Sequence, residues 1–255
     1  MGLRDIVAIA LILSFPFASG AADPIKVVTE EFPPLQYSED GELTGPSTEI
    51  VRAVFARAGL DAQISVLPWA RAYKLATTEP DVVIFSIGRT KEREAKFRWV
   101  GTIAERPRAF FYTARTDISV SGMEDVKSYL VGSSLNDVLL EYLQRNGFQE
   151  GKNLIELRNY EIGYRMLKAR RIDFLAVSED LMNYFLRQDP EGSSLVKAAL
   201  PVEGLDPRIG DSGGDYMATS LATSDQLYGK LRSALEAMKA DGTYRAIIDR
   251  YRRTP

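Results

Sequence analysis

The stretch Val82-Val83-Ile84-Phe85-Ser86-Ile87-Gly88-Arg89-Thr90-Lys91-Glu92-Arg93 decides the fold. Residues 82–86 form a near-continuous apolar run, as expected of a strand buried on both faces in a parallel sheet covered by helices. The charged loop that follows lies where open α/β sheets hold ligands, outside the carboxyl ends of their strands. The same alternation extends outward in both directions. Upstream, strands at 25–29 and 62–67 flank a helix over 47–58, whose Ile50, Val51, Val54, Phe55 and Ala58 recur at helical spacing before Gly59 closes it. Pro68 reads as an N1 proline opening a helix through Trp69 and Tyr73. Downstream comes a strand at 110–113. Beyond Asp117 the alternation restarts, with strands at 129–132, 154–157 and 174–177 and helices at 138–144, 162–169 and 181–187. A turn-rich stretch from Pro201 to Gly214 precedes a strand at 216–220. A last long helix over 226–240 aligns Leu227, Leu231, Ala234, Leu235 and Met238. Repeated βα units with a restart near residue 115 predict an α/β protein of two lobes.

Composition narrows the chemistry. The chain of 255 residues carries 32 Lys+Arg against 35 Asp+Glu, with no His and no Cys. Without imidazole there is no Ser–His–Asp triad, and without thiols no disulfide or thiolate metal site. A net charge of −3 gives no reason to expect nucleic acid. No metal and no cofactor is expected. Lacking His, binding should change little between about pH 6 and 8, and a steep change there would point to a strongly shifted carboxylate in the cleft.

Residues 1–22 read as a secretory signal peptide. Arg4 lies in a short n-region, residues 6–13 are apolar, and Ser19-Gly20-Ala21-Ala22 supplies small residues for cleavage after Ala22. The apolar run is too short to span a bilayer, which takes about 20 residues. No Cys follows it for a lipid anchor, so a soluble, exported protein is expected, with the periplasm as its setting.

Four loops after strands are chemically loaded. Glu30-Glu31-Phe32-Pro33-Pro34 offers carboxylates for a cation, though adjacent loop carboxylates are more often solvated. Pro68-Trp69-Ala70-Arg71 offers Trp69 as an aromatic wall or a core residue. In the Gly88–Arg93 loop, Arg93 can take an anion bidentately or lie solvated beside Glu92 and Glu94. Ser178-Glu179-Asp180 is the fourth.

At Thr29…Phe32-Pro33-Pro34, Gly45, Thr90-Lys91-Glu92-Arg93, Arg170-Arg171-Ile172-Asp173 and the tail Leu231…Ala240-Asp241-Gly242-Thr243-Tyr244…Ile248…Tyr251, the chain resembles the bacterial extracellular solute-binding proteins of the polar amino-acid type, the receptors of ABC importers. The resemblance covers essentially all of the chain beyond the signal segment. It implies a two-lobe periplasmic-binding-protein (Venus-flytrap) fold with two crossover strands, lobe 1 at 23–113 and 214–255 and lobe 2 at 114–213. It also implies hinge closure around a small solute. By the same resemblance Phe32 stacks on the ligand, Arg93 holds an α-carboxylate, and Ser86 and Gly88 add contacts from their loop. The Pro68-Trp69-Ala70-Arg71-Ala72 segment differs from the commoner family form and marks a divergent subgroup, and two further departures argue against a standard α-amino acid as ligand. Ser178, with Glu179 beside it, stands where an Asp normally holds the α-ammonium. Asn136-Asp137 replaces the usual Gly-Thr/Ser, setting an Asp where an anionic ligand group would approach.

The expectation is a monomeric, non-catalytic receptor passing a small polar solute, amino-acid-like or an organic acid or amine, to an ABC permease. The alternatives are a module docking a membrane sensor, and an enzyme using Glu30, Glu31 or Asp137 as acid and base, for which no such constellation is visible.

Overall fold

The computed structural model describes residues 24–105, 108–202 and 214–253. Residues 1–22, read above as a signal peptide, and most of the turn-rich stretch therefore lie outside the described residues. The first lobe opens with β1 (Ile25–Thr29), the hairpin strands β2 (Tyr37–Glu39) and β3 (Glu42–Thr44), α1 (Pro46–Ala58), β4 (Ala62–Val66), α2 (Trp69–Thr78), β5 (Val83–Gly88) and β6 (Phe97–Ala104). The second contains β7 (Ala109–Thr113), α3 (Met123–Val126), β8 (Val131–Ser134), α4 (Val138–Arg145), β9 (Leu154–Leu157), α5 (Tyr160–Lys168), β10 (Phe174–Ser178), α6 (Glu179–Gln188), α7 (Pro190–Leu195) and β11 (Lys197–Pro201). The chain then returns to the first lobe with β12 (Asp215–Ser220), α8 (Asp225–Ala240) and α9 (Thr243–Arg253).

Two five-stranded sheets result, ordered β4-β1-β5-β12-β6 and β11-β7-β10-β8-β9. Helices cover both faces of the first. Val27, Val83, Phe85 and Met217 pack with α1 and α8 on one side. Val28, Ile84 and Ile87 pack with Trp69, Ala72 and Ala76 of α2 on the other. This two-sided burial explains the apolar run in β5.

The sheets are mixed, not parallel throughout. β1 is parallel to β4 and β5, but β12 lies antiparallel between β5 and β6. In the second sheet β7 is antiparallel to β10 and β11. The reason is topological: β7 and β12 are the strands that enter each sheet when the chain changes lobe. An apolar run reports burial on both faces and carries no information on strand direction. For the same reason Ala109–Thr113, assigned to lobe 1 from the sequence, hydrogen-bonds in the second sheet.

Two local details also differ from the sequence reading. Pro68 is the N-cap of α2, with an extended ψ of 135°, and Trp69 is the first helical residue. β6 was not anticipated, because its alternation is interrupted where its register with β12 slips on either side of Gly101.

The start of α1 rests on Gly45, whose φ is +102°. A Cβ there would stand 2.4 Å from the Leu35 carbonyl oxygen. Gly45→Ala therefore meets both backbone strain and a clash with main chain, and should lower the unfolding free energy by more than about 1 kcal/mol. Chemical denaturation checks this, and an unchanged midpoint would refute it.

Candidate functional site

The cleft between the lobes holds about 560 Å³ of space, mouth included. From the first lobe it is lined by Glu30, Phe32, Trp69, Ser86, Gly88, Arg93 and Asp215. From the second come Ala109, Asp137, Val138, Leu139, Tyr160 and Ser178.

Strand ends deliver these groups. Glu30 and Phe32 follow β1, and a turn in which the Phe32 N–H donates to the Gln36 carbonyl fixes Phe32. Ser86 is the extra residue of a bulge in β5, since the pairing with β12 jumps from Phe85↔Met217 to Ile87↔Tyr216. Its φ of +58° is left-handed, unusual for serine, and its hydroxyl donates to Gln36 Oε1 at 2.7 Å. A bulge re-aims a side chain out of the pleat, and here it turns Ser86 toward the cleft. Asp137 is the N-cap of α4, accepting from the Leu139 N–H at 2.8 Å.

Arg93 is not available as an open fork. It is 1% exposed, and its Nε and Nη2 donate to Glu141 Oε1 of α4 at 2.8 and 2.6 Å. Nη2 also donates to the Asn136 carbonyl at 2.7 Å, and Nη1 to the Gly88 carbonyl at 3.3 Å. Trp69 Nε1 donates to the same Asn136 carbonyl at 2.7 Å. Asn136 thus contributes main chain, held at a left-handed φ of +59°, and its side chain is not part of the lining. Glu92 and Glu94 pair with Arg145 and Arg89. The bonds of Arg93 to Glu141 and Asn136, of Trp69 to Asn136 and of Glu92 to Arg145 join the two lobes across the cleft.

Glu179 does not line the cleft. It opens α6 and its carboxylate pairs with Arg108 at 3.1 Å. Glu31 is likewise outside, bonded to the Ser38 N–H and hydroxyl. Glu30 is different: burial first, and then the charge of Asp137, push its carboxyl well above the ordinary carboxylate range. The Tyr160 phenol is pushed up in the same way, by burial and then by Asp137. Ser178 Oγ is buried with no hydrogen-bond partner. A shifted carboxylate in the cleft is the circumstance under which the expected flat pH response fails.

Two polar lining groups, Tyr160 and Asp215, and the partner of Arg93, Glu141, escaped the sequence reading. Tyr160 begins α5 directly after β9, a strand-end loop that the same rule would have exposed. Asp215 opens β12 beyond the turn-rich return. Glu141 lies 48 residues from Arg93, and no local pattern links them.

Among the described residues no helix is long and apolar enough to cross a membrane, and no cluster of three potential metal ligands occurs. The model of the bacterial extracellular solute-binding proteins, family 3, matches residues 25–254, so the chain belongs to that family. It is 25% identical over 266 residues to ABC transporter arginine-binding protein 1 of Escherichia coli (strain K12), covering 98% of this chain and 99% of that protein. An ancestral arginine-binding protein bound to arginine superposes with a TM-score of 0.75 at 20% identity, over 90% of this chain and 98% of that one. A histidine kinase sensor domain with similarity to periplasmic binding proteins gives a TM-score of 0.76 at 18% identity, over 90% and 96%. These likenesses establish the two-lobe Venus-flytrap fold.

Proposed function

Starting from membership of the family 3 solute-binding proteins, we propose that this chain captures a small cationic solute by lobe closure and delivers it to an ABC importer. The observation that carries the charge assignment is the lining itself. Glu30, Asp137 and Asp215 face the cleft, while its guanidinium, Arg93, is neutralised by Glu141. Phe32, Trp69 and Tyr160 add aromatic faces, which attract cations electrostatically. A positive solute restores the ionised form of Glu30 and supplies the donor that the Ser178 oxygen lacks. The relation to an arginine-binding protein of an ABC transporter supports both the importer partner and a cationic ligand. The protein acts as a monomer in the periplasm after removal of residues 1–22. The ligand groups are those of the cleft: Glu30, Phe32, Trp69, Ser86, Gly88, Asp137 and Ser178. Arg93 and Asn136 secure closure.

A thermal-shift panel tests the reading. Arginine, lysine, agmatine and putrescine are compared with glutamate and succinate. A solute at 100 times its Kd stabilises by about 2.7 kcal/mol, a rise in Tm on the order of 5 °C or more for a chain of this size. Cations should produce the rise and dianions should not. A larger rise with glutamate or succinate overturns the charge assignment.

A further inference from the structure

We infer that Glu141 is a specificity residue: it fills the Arg93 fork with the protein's own carboxylate, so the solute is a cation that carries no carboxylate. This rests on the cationic reading above and narrows it from charged amino acids to amines and guanidines.

The bidentate edge of Arg93, Nε with Nη2, is the part of the side chain that fits a carboxylate. Both atoms donate to Glu141 Oε1, at 2.8 and 2.6 Å. Thr90 Oγ1 donates to the other oxygen, Oε2, at 3.3 Å, so both carboxylate oxygens are engaged. Nη1 faces the Gly88 carbonyl and Nη2 also meets the Asn136 carbonyl. A ligand carboxylate would have to displace Glu141 from a guanidinium that is 1% exposed. It would then leave Glu141 without its cation and bring another negative charge beside Asp137 and Glu30. Like charges brought together in a site of reduced dielectric repel. The rest of the cleft favours an ammonium or guanidinium. A buried oxygen that lines it, Ser178 Oγ, has no hydrogen-bond partner in the structure and can accept from such a donor. A decarboxylated amine meets every one of these groups and lacks the one that is already supplied.

Arginine and agmatine differ only by the carboxylate, as do lysine and cadaverine. Calorimetric titration of the full chain with each pair reads the effect directly. Agmatine and cadaverine should bind roughly tenfold or more tightly than arginine and lysine. In Glu141→Ala the Arg93 fork opens to the ligand, and the ratio should fall or invert in favour of the amino acids; Glu141→Gln, which keeps the shape and removes the charge, should shift it in the same direction. Equal or tighter binding of arginine by the wild-type protein, with no change of ratio in either variant, overturns the assignment of Glu141 while leaving the cationic reading standing. Failure of all four compounds to bind overturns both.

Discussion

Arg93→Ala should open the lobes. Arg93 joins β5 and its following loop to α4 through Glu141 and to the preceding turn through the Asn136 carbonyl. It belongs to none of the four apolar clusters, so each lobe keeps its core. Removing one partner of a buried ion pair leaves the other uncompensated, at a cost of about 3 kcal/mol. Opening relieves that cost by letting water reach Glu141, so the closure equilibrium shifts by a factor on the order of a hundred. Since solute is held only when the lobes are shut, affinity for every solute should fall by a similar factor. Small-angle scattering should show a larger radius of gyration, and Trp69 fluorescence should change as its bond to Asn136 is lost. A loss of affinity confined to carboxylate-bearing solutes, with an unchanged radius, would show instead that Arg93 is a ligand clamp.

Glu30→Gln should produce the second large effect, and its sign differs between stability and binding. In the folded state burial, and then the charge of Asp137, hold the Glu30 carboxyl well above the ordinary carboxylate range that it has in the unfolded chain. Between these two values the native protein binds more protons than the unfolded chain, so stability falls as pH rises through that window. Glutamine removes the penalty of ionising a buried carboxyl, and the variant should be more stable than wild type at pH 8 in the absence of solute. Binding responds in the opposite sense. A cation pairs with ionised Glu30, so wild-type affinity should weaken as pH falls through the raised value, with proton release on binding below it. The variant should bind cations at least tenfold more weakly, as one charge partner is lost, and its pH profile should be flatter. Calorimetry at several pH values in buffers of different ionisation enthalpy reads both affinity and proton count. A wild-type profile flat from pH 5 to 8, with no proton release, would remove Glu30 from the site.

Much of this architecture is local and therefore legible. The apolar run of β5, the helical spacing along α1 and α8, and the restart beyond Asp117 each depend on which faces a segment buries, and burial writes itself into residue order. So does the placing of polar and aromatic groups after strand ends: Glu30, Phe32, Trp69, Ser86, Gly88, Asp137 and Ser178 line the cleft. The absence of His and Cys likewise holds under any fold, excluding imidazole and thiol chemistry.

Tertiary structure alone decided the rest, because it depends on groups far apart in the chain. The direction of β7 and β12 follows from where the chain changes lobe, which burial does not encode. Arg93 reads as a free fork from its neighbours, yet a carboxylate 48 residues away occupies it. Glu30 looks like one of a solvated pair, but burial and Asp137, brought from the other lobe, change its proton affinity while Glu31 stays at the surface. A charge is read from sequence as a residue type; whether it is spent, shifted or available is set by what the fold places within a few ångströms of it, since electrostatic interactions are strong only at short range and away from water.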